Sequence, residues 1–459
     1  MSHDLIVIGA GAAGCSAALE AARLGLDVLL VDQTRVAGAG LLATGTIPAA
    51  VLRDAARSRR DQSAGFGDLA ARRDDVLRRH LTSVARQLAE SGVRFEQGRA
   101  ELRSAEEVQV DGCGTRRARA LVIACGSRPR RPPRFPFDHR IVCDSDSALR
   151  GSRLPRSVVV IGADAVGCEL SCLFAALGAH VTLVDRRRRL LRCADREILE
   201  RLHEEMQRLG IVVALEEEIA ALRAEGNPKE PYAVVRLGSG RTEHCERVIV
   251  LAGRESRAAS LAPERAGVAL DAQGFIAVDE HFETSQPGVY AVGDAVGYPM
   301  RADVGMLQGR LAVLRIAGRP LTAVGELPMA VRTLPEIASV GLIEDAARRL
   351  DLAYGVGRAR FEDTLSGAIG GDARGLLKLV FSREDRRVLG VQIIGPGASE
   401  LLQVGTELIS SGRSIEQVAN GLYLHPSFSE MYRIAALDSL RQDLVGSKPS
   451  RACLPRRLA

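Results

Sequence analysis

The chain is 459 residues long, 46% hydrophobic, and carries a formal net charge of +5. This length allows two or three domains with cores of their own. Aromatic residues make up 3% of the chain and tryptophan is absent, which excludes the stacking surface of a single-strand nucleic-acid binder. The nine cysteines are dispersed and odd in number, which argues against a secreted disulfide framework, and no Cys/His spacing resembles a metal site.

Membrane segments are not expected. The chain has no run of 18 consecutive apolar residues, and its opening residues lack a basic stretch. The short apolar run that follows leads into a glycine-rich turn rather than a cleavage site. We therefore expect a cytoplasmic protein that acts on a small-molecule substrate, with neither a nucleic-acid nor a membrane partner.

A strand, a glycine-rich turn and a helix open the chain in the order of a dinucleotide-binding unit. The strand Asp4–Ile8 leads into Gly9, Gly11 and Gly14, and the next strand ends at Asp32. In such a unit the first glycine makes a tight turn, and the second lets the backbone approach a pyrophosphate. The third lets the helix pack on the strand, and the acidic residue accepts a ribose hydroxyl. This first fingerprint meets every requirement.

The segment after the first fingerprint predicts more helix and strand. Periodicity indicates helices at about 47–60 and 68–91, and strands near 93–98, 107–111 and 119–124. The Arg/Pro-rich segment 128–136 is the first credible linker.

The fingerprint then occurs a second time with one change. The strand Ser157–Ile161 leads into Gly162 and Gly167, and the following strand ends at Asp185, but Asp164 replaces the middle glycine. Two like charges about 4 Å apart repel by roughly 1 kcal/mol in water and roughly 4 kcal/mol at an effective dielectric of 20. We therefore expect the affinity of this second unit for a dinucleotide to fall by about tenfold to a thousandfold, unless neighbouring cations offset the carboxylate.

An arginine run, Arg186–Arg189, directly follows this second unit's acidic residue. One interpretation is a solvated helix edge. The other is that Arg187 and Arg189 contact a 2′-phosphate while Asp185 favours the unphosphorylated ribose. Both interpretations leave open whether the bound nucleotide carries a 2′-phosphate.

The C-terminal part changes to a mixed pattern. A helix is predicted at about 303–317, and the later elements are expected as strands at 353–361, 375–381 and 387–394 and helices at 397–411 and 427–443. The fold class is therefore α/β, with two Rossmann-like dinucleotide-binding domains and a C-terminal α+β domain. The basic, polar residues 445–459 are expected to form a disordered tail.

Three motifs together carry a family resemblance. Gly9–Gly14, Ala124-Cys125-Gly126 and Ala291-Val292-Gly293-Asp294 stand in the order and spacing of the FAD-dependent pyridine nucleotide–disulfide oxidoreductases. The chain resembles that family over nearly its whole length, and blocks at 123–129, 144–147 and 333–341 are most similar to its transhydrogenase branch. The resemblance implies FAD and NAD(P)H as cofactors and a homodimer.

The resemblance also assigns domains and site residues. It implies an FAD-binding domain at 1–150 and 275–327, an NAD(P)-binding-like domain at 151–274 and a dimerisation domain at 328–444. The residues implied to hold FAD are Gly9, Gly11, Gly14, Asp32, Gly45, Thr46, Ala124, Cys125, Gly126 and Asp294. Those implied for NAD(P) are Gly162, Gly167, Asp185, Arg187 and Gly253. For the glycines alone, an ordinary tight turn is the alternative explanation.

The redox centre departs from the family pattern. Leu41 and Thr46 stand where the family has two thiols, and a disulfide relay needs two sulfurs able to bond to each other. The transhydrogenase branch also has Thr at the second of these positions. The family's lysine beside the flavin is Ala50 here, whereas its glutamate partner is retained as Glu169. A buried carboxylate without its cation tends to have a raised pKa or to find water.

A His–Glu pair near the C-terminus completes the candidate catalytic set. His425 and Glu430 match the motif whose pair reaches the partner subunit's site in the family, and a Glu that orients a His suits general acid–base work. Together with Thr46 and Glu169 they are the candidate catalytic residues. Alternatively, His425 is an interface residue with no proton to move. Cys168 and Cys172, one helical turn apart, are either a relocated redox pair or small packing residues.

Three functions remain open from sequence. The first is an FAD-dependent oxidoreductase that passes hydride from NAD(P)H, without a redox disulfide, to another nicotinamide nucleotide or a small acceptor. The second is a flavoprotein oxidase or dehydrogenase for an organic metabolite, with a degenerate NAD(P) site. The third is a non-catalytic FAD-bound scaffold or sensor.

Overall fold

The computed structural model describes residues 2–35, 46–57, 65–191, 193–226, 230–321, 325–371 and 374–446. The chain forms two compact units. The first comprises Met1–Gly162, Leu173–Arg186 and Glu216–Ala323, and the second comprises Ala163–Cys172, Arg187–Leu215 and Val324–Ala459. The expected tail lies outside the described residues from residue 447 onward.

The strands are numbered in chain order. They are β1 (Ser2–Ile8), β2 (Val28–Asp32), β3 (Arg94–Gln97), β4 (Ala100–Leu102), β5 (Glu107–Val110), β6 (Gly114–Ile123), β7 (Ser127–Pro129), β8 (Val142–Cys143), β9 (Ser157–Ile161), β10 (His180–Asp185), β11 (Val212–Leu215), β12 (Ile219–Gly226), β13 (Pro231–Leu237), β14 (Thr242–Cys245), β15 (Arg247–Val250), β16 (Arg254–Ser256), β17 (Val289–Ala291), β18 (Met329–Val331), β19 (Glu336–Gly341), β20 (Tyr354–Arg360), β21 (Leu376–Ser382) and β22 (Val388–Gly395).

The α-helices are numbered in the same way. They are α1 (Ala12–Arg23), α2 (Thr46–Arg57), α3 (Phe66–Glu90), α4 (Ala165–Ala176), α5 (Arg196–Arg208), α6 (Ala302–Ile316), α7 (Glu344–Arg349), α8 (Leu365–Gly370), α9 (Ala398–Ser410), α10 (Ile415–Ala419) and α11 (Met431–Gly446). None of the helices in the described part of the chain combines the length and apolar character needed to cross a bilayer.

The first unit is built on a parallel sheet with both faces covered. Its strand order is β3-β2-β1-β6-β5-β4, with β17 also paired to β6. Strands β1, β2, β3, β6 and β17 run parallel, whereas β4 and β5 are antiparallel additions. Side chains alternate along β1, so Leu5 and Val7 pack in a core with alanines of α1, and Ile6 and Ile8 belong to a second core. Burial on both faces explains why β1 is almost wholly apolar.

The first unit also contains a second parallel sheet and two smaller sheets. The second sheet has the order β10-β9-β15-β8, with Leu183 opposite Val160 and Ile249 opposite both Val160 and Cys143. Strands β12, β13 and β14 form an antiparallel meander, and β7 pairs with β16. The carboxyl ends of β1 and β9 each lead into a fingerprint.

The second unit is built on an antiparallel sheet of order β18-β19-β22-β21-β20. Leu377 and Leu379 of β21 share a core with residues of α9 and α11. The Tyr432 hydroxyl ties these helices together, because it donates to the Leu401 carbonyl at 2.7 Å and accepts from the Gly405 amide at 3.0 Å. Lys378 lies between those two leucines in sequence, and its side chain is only 2% exposed.

The expected α/β class is confirmed, with the parallel sheets and the C-terminal antiparallel sheet in their expected places. The helix predicted at 427–443 begins instead at Met431, because the Ser427 hydroxyl accepts from the Ser429 amide and caps a separate 3₁₀ turn at Phe428–Glu430. The arginine run Arg186–Arg189 is not on a helix edge, since α5 begins only at Arg196.

Candidate nucleotide sites and the histidine–glutamate pair

The three glycines of the first fingerprint are required for different reasons. A β-carbon on Gly9 would lie 2.3 Å from the Ala124 carbonyl oxygen, and one on Gly14 would lie 1.8 Å from the Gly9 carbonyl oxygen. A β-carbon on Gly11 would meet nothing within 4 Å. The chain's own packing therefore explains the outer glycines, whereas the middle glycine keeps a space open to a ligand. Gly11 also caps α1 without a side-chain acceptor, which leaves amides of the first turn for an anion.

Asp32 holds this turn from the end of β2. Its Oδ2 accepts from the Ala10 amide at 2.6 Å, and its Oδ1 accepts from the Thr34 amide at 2.8 Å and the Thr34 hydroxyl at 2.6 Å. An ionised carboxylate accepts about four hydrogen bonds. Asp32 therefore retains capacity for a ribose hydroxyl, and together with the open space at Gly11 this geometry fits the adenosine diphosphate half of FAD.

The two later FAD motifs lie at the same edge of the first unit's sheet. The Ala124 amide donates to the Ile8 carbonyl at 2.8 Å, which places Ala124, Cys125 and Gly126 beside the fingerprint turn. The Val292 amide donates to the Ile123 carbonyl at 3.0 Å, and Asp294 follows in a short 3₁₀ turn. The structure thus brings together the first-fingerprint residues, the segment 124–126 and Asp294. This is the carboxyl edge, where open α/β sheets bind ligands.

Sequence reasoning missed two partners of Asp294. The Ser127 hydroxyl donates to Asp294 Oδ2 at 2.5 Å and accepts from Arg254 Nε at 2.6 Å. Arg254 also donates to Asp146 at 3.0 Å. The only sequence signal for these residues is adjacency, since Ser127 follows Gly126 and Arg254 follows Gly253. Gly253 itself adopts a positive φ of 85°, and its carbonyl accepts from the Arg130 amide at 3.0 Å.

The second fingerprint has the same packing requirement at its first glycine. A β-carbon on Gly162 would lie 2.8 Å from the Leu251 carbonyl oxygen, so a larger residue would collide with the backbone. Asp185 ends β10 as a largely buried carboxylate, 7% exposed. These first-unit residues retain the features that a dinucleotide-binding unit needs.

Asp164, in the second unit, is engaged by an arginine. Its Oδ1 accepts from Arg187 Nη1 at 2.6 Å, and the Asp164 side chain is 70% exposed whereas that of Arg187 is 23% exposed. The Asp164 carbonyl accepts from the Cys168 amide at 3.0 Å, so Asp164 stands at the N-terminus of α4. Gly167 is buried in the first turn of that helix. Arg187 therefore partly offsets the charge at the middle position.

Glu169 is held by a backbone amide. Its Oε1 accepts from the Arg332 amide at 2.7 Å. Ala50, which stands at the family's lysine position, lies on α2 in the first unit. A backbone amide therefore serves as a partner for this carboxylate.

His425 and Glu430 form a close pair in the second unit. His425 Nδ1 lies 2.9 Å from Glu430 Oε2, and the exposed fractions of the two side chains are 61% and 6%. Glu430 Oε1 is buried and has no hydrogen-bond partner among the described residues. An ionised Glu430 accepts from Nδ1–H, which leaves Nε2 as the outward nitrogen of the exposed ring.

The family's thiol region is described only in part. Leu41 and Gly45 lie outside the described residues, and Thr46 is described only as the first residue of α2. Cys168 and Cys172 are buried free thiols on α4, and burial raises the pKa of Cys172 to about 12 and that of Cys168 well above its usual range. Burial likewise raises the pKa of Cys125 to about 12. These three cysteines stay protonated at neutral pH and are poor nucleophiles.

Comparison with known protein families gives one consistent result. Residues 3–309 match the profile of a family described as pyridine nucleotide-disulphide oxidoreductase. Residues 327–436 match the dimerisation domain of the same family. The two matches together span most of the chain.

Similar proteins point the same way. A soluble pyridine nucleotide transhydrogenase from Mycobacterium bovis BCG is 34% identical, with 96% of this chain and 97% of the relative covered. One from Serratia proteamaculans is 32% identical, with 96% and 98% covered.

Solved structures with the same fold include two from bacteria. The HOCl-induced flavoprotein disulfide reductase RclA from Escherichia coli has a TM-score of 0.87 at 22% identity, with 95% of this chain and 99% of that chain covered. LpdA from Mycobacterium tuberculosis has a TM-score of 0.87 at 23% identity, with 94% and 99% covered. At such identities these structures show the fold alone.

Proposed function

Because the chain belongs to the pyridine nucleotide-disulphide oxidoreductase family, and is therefore an FAD-dependent oxidoreductase linked to NAD(P)H, we propose that it transfers hydride between nicotinamide nucleotides without a redox disulfide. FAD supplies the two-electron carrier when it is bound. In this proposal the first fingerprint, Asp32 and Asp294 hold it, and the second fingerprint takes the nicotinamide nucleotide.

The observation that carries the proposal is that no cysteine stands at the family's two thiol positions. Leu41 and Thr46 occupy the family's two thiol positions. Cys168 and Cys172, the other closely spaced pair, are buried and their pKa values are raised by that burial. Thiol–disulfide exchange needs an accessible thiolate, so neither position supports the usual route.

The His425–Glu430 pair is proposed to serve acceptors that take up a proton. Exchange of hydride between two nicotinamide nucleotides needs no proton, whereas reduction of a small oxidant such as a quinone consumes one with each hydride. The buried Glu430 orients His425 through Nδ1, and Nε2 of the exposed ring is then placed to deliver that proton.

A homodimer is proposed from the C-terminal part of the chain. Residues 327–436 match a dimerisation domain, and Leu422 and Leu424, which directly precede the histidine motif, are 101% and 81% exposed. Large apolar side chains exposed side by side are typical of a surface that a partner covers. We therefore place His425 at the surface between two copies.

Anaerobic mixing with NADH or NADPH tests the proposal. We expect at least one nucleotide to bleach the flavin absorbance, and the reduced enzyme to be reoxidised by the NAD⁺ analogue thio-NAD⁺. A flavin that neither nucleotide bleaches would contradict the proposal. Bleaching that is discharged by a quinone but not by thio-NAD⁺ would reassign the acceptor.

A second candidate function is a flavoprotein oxidase or dehydrogenase for an organic metabolite. Asp164 favours it, because a carboxylate at the middle fingerprint position weakens a site for a diphosphate. Here nucleotide turnover should be slow in the native enzyme and rise sharply in Asp164→Gly. Rapid native turnover that this change leaves unaltered would exclude a vestigial site. No observation in the described residues favours a non-catalytic scaffold.

A further inference from the structure

Asp164 and Arg187 bear on which nicotinamide nucleotide the chain prefers. We propose that Asp164 determines nucleotide specificity, because it holds the Arg187 guanidinium that would otherwise receive the 2′-phosphate of NADPH, and so makes the chain prefer NADH. This inference rests on the proposed function, since it assumes that the second fingerprint takes a nicotinamide nucleotide. It goes further by naming the residue that selects between the two nucleotides.

Without Asp164, Arg187 would be placed to bind the 2′-phosphate. In dinucleotide-binding units the residues just beyond the second strand meet the adenosine ribose, and an arginine there accommodates a 2′-phosphate. Arg187 is the second residue after Asp185, where β10 ends. Its sequence position is therefore that of a phosphate-binding arginine.

In the structure, Asp164 holds the Arg187 guanidinium. Arg187 Nη1 donates to Asp164 Oδ1 at 2.6 Å, a short, charge-assisted hydrogen bond. Arg187 is mostly buried at 23% exposure, so solvent screens its charge less than it screens an exposed pair. The carboxylate of Asp164 thus takes the place that a phosphate oxygen would fill.

Arg187 lies among other arginines at a cavity. It lines a cavity of about 360 Å³ together with three further arginines, Arg188, Arg189 and Arg349. Asp345 also lines this cavity, and one of its oxygens lies 3.8 Å from Arg189 Nη1. Two of the four arginines therefore already face carboxylates, which lowers the attraction of the cavity for a phosphate dianion.

The ratio of the affinities for NADPH and NADH separates nucleotide specificity from the repulsion that Asp164 exerts on both nucleotides. The Asp164 carboxylate repels a pyrophosphate, which NADH and NADPH share, so that effect cancels when their affinities are divided. Release of Arg187 adds a contact only to the 2′-phosphate, which NADPH alone carries, whereas its effect on the pyrophosphate is common to both nucleotides. The ratio of the two dissociation constants therefore reports on the Asp164–Arg187 pair.

The test must also distinguish a role of Asp164 in nucleotide specificity from a role in helix stability. Asp is a favourable residue at a helix N-terminus, and Asp164 directly precedes α4. Ser caps a helix about as well as Asp but carries no charge, so Asp164→Ser removes the ion pair and keeps a capping oxygen. Asp164→Gly restores the ordinary fingerprint residue.

The test uses the FAD-loaded enzyme and two probes that cannot be reduced, ADP-ribose and 2′-phospho-ADP-ribose. Calorimetric titration gives their dissociation constants for the native enzyme, Asp164→Ser, Asp164→Gly, Arg187→Ala and the double variant Asp164→Ser/Arg187→Ala. The control is Glu200→Gln. Glu200 is also exposed, at 56%, and accepts from Arg196 Nε at 2.6 Å on α5.

We expect the native enzyme to bind ADP-ribose more tightly than its 2′-phosphate. Asp164→Ser and Asp164→Gly should shift the ratio about tenfold towards the phosphorylated probe, equivalent to about 1.4 kcal/mol. The shift should vanish when Arg187 is also replaced, and Glu200→Gln should leave the ratio unchanged.

Three outcomes would overturn the proposal. They are an equal gain for both probes in the Asp164 variants, a shift that persists without Arg187, and no binding of either probe by any variant. Since the probes cannot reduce flavin, these outcomes are independent of the bleaching test. Failure of the specificity proposal is thus distinguishable from failure of the proposed function.

Discussion

The two fingerprints of this chain share a construction but differ at the middle glycine position, which is Gly11 in the first and Asp164 in the second. In both, the first glycine is needed because a β-carbon would collide with backbone, at Ala124 in the first copy and at Leu251 in the second. The middle position differs: Gly11 faces open space, whereas Asp164 binds Arg187 at 2.6 Å. The first turn leaves backbone amides at the start of α1 available for an anion, whereas the second turn contains a carboxylate, that of Asp164.

This difference shows which fingerprint positions report on a ligand. The outer glycines Gly9, Gly14 and Gly162 are required by the packing of the chain itself, whether or not a nucleotide binds. A β-carbon at the middle position of the first fingerprint would meet nothing within 4 Å, so we infer that an approaching pyrophosphate is what restricts this position. A change at that position alters ligand binding without disturbing the fold.

The largest expected effect comes from replacing Lys378, which pairs with Asp195 and Glu344 in the second unit. Lys378 is 2% exposed, and its Nζ lies 2.9 Å from Asp195 Oδ2 and 2.5 Å from Glu344 Oε2. Lys378→Met removes the buried cation that Asp195 and Glu344 share and should lower the free energy of unfolding by about 3–5 kcal/mol. Urea denaturation measures this loss.

The matched control for Lys378 is Arg348→Met, which removes an exposed partner of the same carboxylate, at 3.1 Å from Glu344 Oε1. It should cost less than about 1 kcal/mol. Equal losses in the two variants would contradict the role of Lys378 as a buried, shared cation. Because the first fingerprint lies in the other unit, FAD content per folded protein should stay unchanged in both.

The same cluster predicts a pH dependence. Burial lowers the pKa of Lys378, but hydrogen bonds to Glu344 and Asp195 outweigh it and raise that pKa above 10.5. Burial raises the pKa of Glu344, but the hydrogen bond to Lys378 outweighs it and lowers that pKa below 4.5. The cluster's contribution should be complete between pH 4.5 and 10.5 and be lost as pH falls or rises through the folded-state values.

Unfolding of native enzyme and Lys378→Met across pH checks this dependence. The difference between their free energies of unfolding should be constant from about pH 5 to 10 and shrink on either side. A difference that grows below pH 4.5 would have the wrong sign for this cluster.

The next effect separates packing from ligand binding within the first fingerprint. A β-carbon on Gly14 would lie 1.8 Å from the Gly9 carbonyl oxygen, so Gly14→Ala should cost about 1–3 kcal/mol and release FAD. Gly11→Ala is the control, because its β-carbon meets nothing within 4 Å. Gly11→Ala should change the free energy of unfolding of the FAD-free protein by less than about 1 kcal/mol, but it should weaken the binding of FAD. Thermal unfolding and flavin content distinguish the two, and equal destabilisation would contradict the assignment.

The smallest expected effect concerns the charge of the second fingerprint. Arg187→Ala leaves the Asp164 carboxylate without this cation, so ADP-ribose should bind about tenfold more weakly than to the native enzyme. Adding Asp164→Ser should recover at least that loss, because the uncompensated charge is then gone. Unchanged affinity in Arg187→Ala would show that Asp164 does not face the nucleotide.

Sequence patterns predicted the parts of this molecule that rest on local periodicity. The fingerprints, helices α2 and α3 and strands β20 to β22 follow from apolar spacing and glycine placement. The meander β12 to β14 was not predicted: β12 and β14 are largely exposed and carry charged side chains, and only β13 buries alternate apolar residues, Ala233, Val235 and Leu237.

Side-chain partners were less accessible to sequence reasoning. The pairing of Asp164 with Arg187 depends on the path of the segment after β10, and periodicity does not encode that path. The burial of Lys378 is likewise hidden, since lysine is ordinarily exposed and its carboxylate partners are distant in sequence. The Ser127 and Arg254 contacts with Asp294 arise only once β7 and β16 pair.

The central claim, an FAD enzyme without a redox disulfide, is tested most directly by counting electrons. Anaerobic titration of the FAD-loaded enzyme with dithionite, followed by absorbance, gives the reducing equivalents taken up per flavin. A flavin alone takes up two electrons, whereas a flavin with a redox disulfide takes up four. The account predicts complete bleaching after one two-electron equivalent per FAD. A requirement for two such equivalents would contradict it.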